Sequence, residues 1–334
     1  MKRWLVVVIL PVLILGPALF IRLPYYSEGP GPTADVEQLI TVSGHEVHPS
    51  QGRFLLTTVS QSARPLSAVE LLATWLDPSS SVVPEDLVVT PGETPEEEVL
   101  RALDQMAESQ VNATAVVLDR VSDYPASHGT GALVTAVGIG CPAEGKLRPG
   151  DVIVRVQGRP VAGPEDASEL IDAVEPSGEI RFELEGAGEN DPSIQLRRGP
   201  CLDSKEPLIG FVLAPNFPYE VKIDDDGIGG PSAGLMWALG LYDELTPGDL
   251  TGGRTIAGTG VIATDGTVEP IGGIGKKILA AEHADADLFI VPRANLAEAR
   301  AEHPQVPLLV VDSFEDAVGE LEVDRLGVSP SPEG

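Results

Sequence analysis

A chain of 334 residues that is 43% hydrophobic has room for two domains with real cores, which excludes a disordered protein. Its 51 Asp and Glu against 22 Lys and Arg leave a formal charge of −29, a solvated acidic surface that repels phosphate backbones and speaks against nucleic-acid binding. Cys141 and Cys201 are the only cysteines, with no Cys/His cluster spaced for zinc; no metal is expected, and the pair reads equally as one disulfide or as two buried thiols.

Lys2 and Arg3 precede an uncharged apolar run from Trp4 to Ile21, which as a helix reaches roughly 27 Å, close to the hydrocarbon thickness of a bilayer. Trp4 at one end, Tyr25 and Tyr26 at the other, and the basic start predict an uncleaved single-pass anchor over 4–22 with a cytoplasmic N-terminus and an extracytoplasmic body. Residues 23–35, with Ser27-Glu28-Gly29-Pro30-Gly31-Pro32, read as a stiff linker. Within 36–124, Arg53 to Val59 reads as a strand. Pro95-Glu96-Glu97-Glu98 opens a helix with Val99, Leu100, Leu103 and Met106 at helical spacing, and Val111 to Leu118 reads as a second strand. Ser79-Ser80-Ser81 between Pro78 and Pro84 suggests an exposed excursion.

Over 125–200 the pattern becomes short strands and tight turns: Ala132 to Val137, then Leu147-Arg148-Pro149-Gly150-Asp151-Val152-Ile153, the Gly158-Arg159-Pro160-Val161 turn, a helix from Pro164 to Val174 and a strand from Ile180 to Leu184. This run resembles a PDZ domain of the bacterial protease kind. The resemblance implies binding of extended peptides or C-termini, with Gly129-Thr130-Gly131-Ala132 as the candidate carboxylate loop, or else a packing or gating role. Gly140 to Lys146 fits a phosphate-loop pattern, but Leu147 replaces the Ser or Thr that binds magnesium, so neither a nucleotide nor any other cofactor is expected.

The chemistry concentrates in 201–325. Ser232 follows Gly230-Pro231 at the start of an apolar helix, where backbone N–H groups can stabilise an oxyanion; an ordinary N-cap explains the same placement. Thr255 to Ile262 and Gly266 to Pro270 read as strands joined at Thr264-Asp265-Gly266. Gly272-Gly273 then feeds a helix whose first turn holds Lys277. The helix dipole and burial against Ala280, Ala281 and Ala284 both lower that lysine's pKa, so it can serve as a base for Ser232; Lys276 points elsewhere.

Gly230-Pro231-Ser232-Ala233-Gly234, Thr259-Gly260 and Pro270-Ile271-Gly272-Gly273 with Lys277-Ile278-Leu279-Ala280-Ala281 together resemble the proteolytic domain of Lon-type proteases. The resemblance implies Ser232 as nucleophile, Lys277 as base and Thr259 as a supporting neighbour. Gly229 and Val261 stand where many such domains carry acidic residues, which leaves the polar partner of Lys277 open, with Asp226 as a candidate. Anchor, PDZ domain and Lon-type domain in this order look like the YlbL-type envelope proteases. That likeness implies an α+β protein, cleavage of unfolded or flexible polypeptides without ATP, and a ring-like homo-oligomer. The strand at Phe54 and the helix from Pro95 are expected to belong to the protease domain, the PDZ domain being inserted, with 326–334 a disordered tail. Two rival readings are a non-catalytic PDZ adaptor on a Lon-like scaffold and an α/β-hydrolase-type esterase using His283 or His303.

Overall fold

The computed structural model describes residues 21–88, 95–122, 131–185, 193–201, 204–224 and 227–325. They fall into two compact units: residues 1–117 with 221–334, and 118–220. Among the described residues no helix is long and apolar enough to cross a membrane; the run from Trp4 to Phe20 and the 326–334 tail lie outside them.

The first unit begins with β1 (Tyr25–Asp35), so the linker reading of residues 23–35 is corrected. Its prolines are tolerated because the ladder to β2 (Arg53–Gln61) slips between Pro30 and Thr33, and a side chain at Gly31 would press into Thr58. Helix α1 (Ala68–Leu76) opens with a capping box between Ser67 and Glu70. The serines after it are no exposed excursion either. Asp77 accepts from Ser79 and Ser80, the Ser79 carbonyl accepts from Lys276 Nζ at 3.0 Å, and β3 (Ser81–Pro84) then pairs with β1, followed by the short α2 (Glu85–Val88).

Helix α3 runs unbroken from Pro95 to Val121, which overturns the strand expected at Val111 to Leu118. Val and Thr suggested a strand there, but Met106, Ser109, Ala113, Val116 and Val117 recur at helical spacing and all are buried. The Thr114 hydroxyl donates to the Gln110 carbonyl at 2.8 Å, so the helix satisfies it internally.

In the second unit β4 (Ala132–Val137), β5 (Val152–Val156), α4 (Pro164–Asp172), β6 (Glu179–Leu184) and β7 (Ile194–Arg197) surround a core of Val134, Ile153, Leu170, Ile180 and Phe182. The Pro-rich stretch after residue 200 stays with this unit rather than opening the next domain. It makes a hairpin from Gly199–Cys201 to Ser204–Leu208 and then β8 (Phe211–Pro215), which pairs antiparallel with β4 and sets the strand order β8-β4-β5-β6-β7. A disulfide joins Cys141 to Cys201 with the Cα atoms 4.3 Å apart.

The chain then completes the first unit with a 3-10 turn (Pro231–Ala233), α5 (Gly234–Leu245), β9 (Thr255–Gly258), β10 (Val261–Ile262), β11 (Val268–Glu269), α6 (Ile274–His283), β12 (Leu288–Pro292), α7 (Leu296–Ala301), β13 (Leu308–Val311) and α8 (Phe314–Arg325). The strand read from Thr255 to Ile262 is two strands, broken at Thr259-Gly260. The sheet order β13-β12-β9-β2-β1-β3 places β2 parallel to β9, so strands from both sides of the second unit form one sheet. Leu55, Ala257 and Phe289 face Ile274, Ile278 and Ala281 of α6 on one side of this sheet. On the other, α5 lies so close that a side chain at Gly258 would meet Met236 Sδ at 2.6 Å.

Candidate active site

The parallel pairing of β2 with β9 ends at Leu56 opposite Gly258; β9 stops there while β2 runs on beside β1, and the next residues, Thr57 and Thr259, part to open a crevice. From one side α5 brings Ser232. Gly230 holds φ 89° to turn the chain into the 3-10 turn, its N–H donating to the Ala102 carbonyl at 2.7 Å. Ser109 Oγ donates to the Pro231 carbonyl at 2.9 Å, so α3 braces the serine turn from outside. Gly260 N–H and the Thr259 hydroxyl both donate to the Ser232 carbonyl, at 2.8 and 2.9 Å. A side chain at Gly234 would collide with Ser109 Oγ and Ile262, which is why the motif closes on glycine.

From the other side α6 brings Lys277, only 4% exposed. Gly273 caps this helix in the left-handed region at φ 70°. Lys277 Nζ lies 2.7 Å from Ser232 Oγ, 2.9 Å from the Thr57 carbonyl and 3.2 Å from Thr259 Oγ1. The carbonyl can only accept, and the Thr259 hydroxyl spends its own proton on the Ser232 carbonyl, so it too accepts from the amine. A neutral amine has two hydrogens and one lone pair. The hydrogens go to Thr57 and Thr259, and the lone pair is left facing the serine hydroxyl.

Burial pushes the Lys277 pKa down from 10.5 to about 8. With the neutral amine as base, kcat/KM for a short peptide should fall about tenfold per pH unit below about 8 and level off above it; a pH profile flat from 6 to 9 would refute that role.

The two residues stand at a cleft of about 420 Å³ bounded by Thr57, Thr58, Val59, Gly229 and Gly272. The structure thus brings Ser232, Lys277 and Thr259 together, whereas Lys276 turns to Ser79. Asp226 lies outside the described residues, and the polar partner that sequence could not supply is the main-chain oxygen of Thr57, which no side-chain pattern announces. His283 and His303 are exposed, the former at the opposite end of α6 from Lys277.

The second unit has a concave site of its own, about 660 Å³ between α4 and β8, where Ile171, Ile209, Phe211 and Leu213 meet Arg198. The Arg198 guanidinium closes the end of α4 by donating to the carbonyls of Ile171 and Val174 at 2.7 and 3.0 Å. Strand β8 ends the sheet order. The loop entering it, Pro207 to Gly210, is strapped by bonds from Gly138 N–H to the Gly210 carbonyl (2.9 Å) and from Ala143 N–H to the Ile209 carbonyl (3.1 Å). Of the loop expected at Gly129 to Ala132, the structure describes Gly131 and Ala132. Gly129 and Thr130 lie outside the described residues. A side chain at Gly131 would press on the Ile153 carbonyl, and Ala132 pairs with Pro215, the end of β8 away from Phe211. The groove's own mark in the sequence is Leu208-Ile209-Gly210-Phe211, a glycine among apolar residues just before a strand.

Residues 225–316 match the Lon protease (S16) C-terminal proteolytic domain, and residues 133–185 a PDZ domain. Lon protease 2 of Bacillus subtilis is 28% identical over 184 residues, covering 51% of this chain and 33% of that protein. Lon protease of Roseiflexus castenholzii is 33% identical over 93 residues (27% of this chain, 11% of that protein), and Lon protease 1 of Thermus thermophilus 37% over 92 (28% and 11%). The match therefore spans a third or less of each of these relatives. Motifs, geometry and comparisons agree that the chain carries a serine-type peptidase domain of the Lon kind together with a PDZ domain.

Proposed function

We propose that this protein is a serine endopeptidase that cleaves unfolded or flexible polypeptides outside the cytoplasmic membrane without ATP. The observation that carries the reading is the 2.7 Å approach of Lys277 Nζ to Ser232 Oγ, with the lysine's other two partners both acceptors. Ser232 Oγ attacks the scissile carbonyl as its proton passes to Lys277, and the lysine returns that proton to the leaving amine. Water then releases the acyl group, with Lys277 again as base. The main-chain N–H groups of Ser232 and Ala233 at the mouth of α5 are the donors for the developing oxyanion, since the Gly230 N–H is taken by the Ala102 carbonyl and Pro231 has none.

A cleft this small receives an extended chain rather than a folded domain. The groove between α4 and β8 suits an extended peptide added beside β8, its carboxylate against the Pro207 to Gly210 loop, with Arg198 beside it. Action outside the cytoplasm is supported by the Cys141–Cys201 disulfide, which persists in oxidising compartments, and by the anchor-like run from Trp4. Independence from ATP is supported by Leu147 in the failed phosphate loop, and a ring-like homo-oligomer by the Lon likeness alone.

The test incubates the full chain in vesicles with an intrinsically unfolded protein, without nucleotide. The parent and His283→Ala should cleave and Ser232→Ala should not. Loss of cleavage with His283→Ala would instead favour the hydrolase mechanism, and an inactive parent would leave a PDZ adaptor.

A further inference from the structure

Surface helices normally turn charged side chains outward, but α1 does the reverse. Leu72, Trp75 and Leu76, spaced i, i+3 and i+4, share one face and are all exposed, Trp75 to 72%. Leu87 of α2 is exposed to 74%. A tryptophan and two leucines on one exposed helix face, with Leu87 exposed on α2, make the kind of apolar surface that marks an interaction site.

Where the chain enters the unit indicates what does. Residues 22 to 25 are stapled between the starts of these same two helices. Arg22 bridges to Ser67 and donates to Glu70 at 2.6 Å, Leu23 N–H donates to the Leu66 carbonyl at 2.8 Å, and Glu85 N–H donates to the Pro24 carbonyl at 3.1 Å. The uncharged run from Trp4 to Ile21 ends at this staple. At 1.5 Å per residue, Trp75 is about 12 Å along α1 from its cap, and Leu87 is closer still. A chain leaving a bilayer at Ile21 thus holds the exposed face within reach of the headgroup layer, the depth that tryptophan prefers.

Resting on the anchor reading, we propose that Leu72, Trp75, Leu76 and Leu87 form a membrane-contact patch that seats the peptidase unit on the surface of the bilayer holding its own N-terminal segment. The contact is apolar. Arg22 and Arg64 are both engaged by Glu70, and Asp77, Glu85 and Asp86 stand beside the patch, so a zwitterionic surface fits and an anionic one is disfavoured. A single tether leaves the unit free to swing; a second, interfacial contact removes that freedom.

The full chain carrying Trp4→Phe, reconstituted in phosphatidylcholine vesicles, keeps only Trp75 and the fully buried Trp237. Acyl-chain-brominated phosphatidylcholine should quench the Trp75 share of the emission and shift the remainder. Trp4→Phe/Trp75→Phe should show no quenching, and adding Leu72→Ser/Leu76→Ser to Trp4→Phe should weaken it while Trp75 stays as reporter. Absence of quenching in protein that sediments with the vesicles after alkaline washing overturns the patch and leaves the anchor intact. Protein released by alkali overturns both. A blue-shifted Trp75 that bromine does not reach, and that reddens on dilution into excess lipid, assigns the patch to a second copy and also overturns the proposal.

Discussion

Lys277→Met should lower cleavage by about 10³-fold or more, since it removes the base that hydrogen-bonds Ser232 Oγ, while leaving the protein as stable at pH 7 as the parent. The second half of this expectation separates a catalytic lysine from a structural one. Holding this amine in a buried site that pulls its pKa from 10.5 to about 8 costs roughly 3 kcal/mol at neutral pH. Methionine is of similar length and escapes that penalty, but it leaves the Thr57 carbonyl without its donor, at about 1–3 kcal/mol. The two nearly offset each other. Linkage supplies the sign of a further check. Between pH 8 and 10.5 the unfolded lysine binds a proton that the folded one does not, so parental stability rises through that window, and the variant should lack the rise. Thermal unfolding across pH, beside peptide cleavage rates, measures both. A variant that is inactive and also markedly less stable at pH 7 would make Lys277 a structural residue.

The next largest effect is expected from breaking Cys141–Cys201. The cross-link spans a sequence separation of 60, for which loop-closure entropy alone is worth about 4 kcal/mol. A small unit built on short strands around one core has little margin to lose that much. C141S/C201S, or reductant added to the parent, should therefore lower the melting transition of residues 118–220, seen as early proteolytic nicking within that unit, while peptide cleavage at Ser232 persists. Peptide affinity should fall with it. Gly210 sits so tightly on the bridge that a side chain there would lie 2.2 Å from Cys141 Cβ, and the two main-chain bonds that strap the loop, from Gly138 and Ala143, flank the same cysteine. Unchanged nicking and unchanged affinity after reduction would show the bridge to be ornamental.

Sequence disclosed the chemistry better than the scaffold. Ser232, Lys277 and Thr259 could be found because each needs a particular side chain at a particular turn, and those demands leave residue types behind. Strands such as β2 and β4 could be found because their apolar alternation is strong. Strand β1 could not, since Gly29, Pro30, Gly31 and Pro32 are ordinary linker residues until a bulge against β2 accommodates them. The second half of α3 is ambiguous in sequence because a short run of Val, Thr and Ala suits strand or helix equally, and the choice is made by the packing of Ala113, Val116 and Val117, all buried on one helix side. Thr57 was invisible for a different reason: it acts through its main-chain oxygen, so almost any side chain would serve there as far as that bond is concerned.

The bond from Lys277 to Thr57 spans 220 positions of the chain, and all of residues 118–220 lie between the two halves of the site. In a polypeptide made and delivered from its N-terminus, β2 emerges early, the groove-bearing unit can fold next, and the dyad comes into being only after α6 has followed. Ser232 and Lys277 therefore cannot meet until α6 has followed, and chain order itself times the assembly of the site.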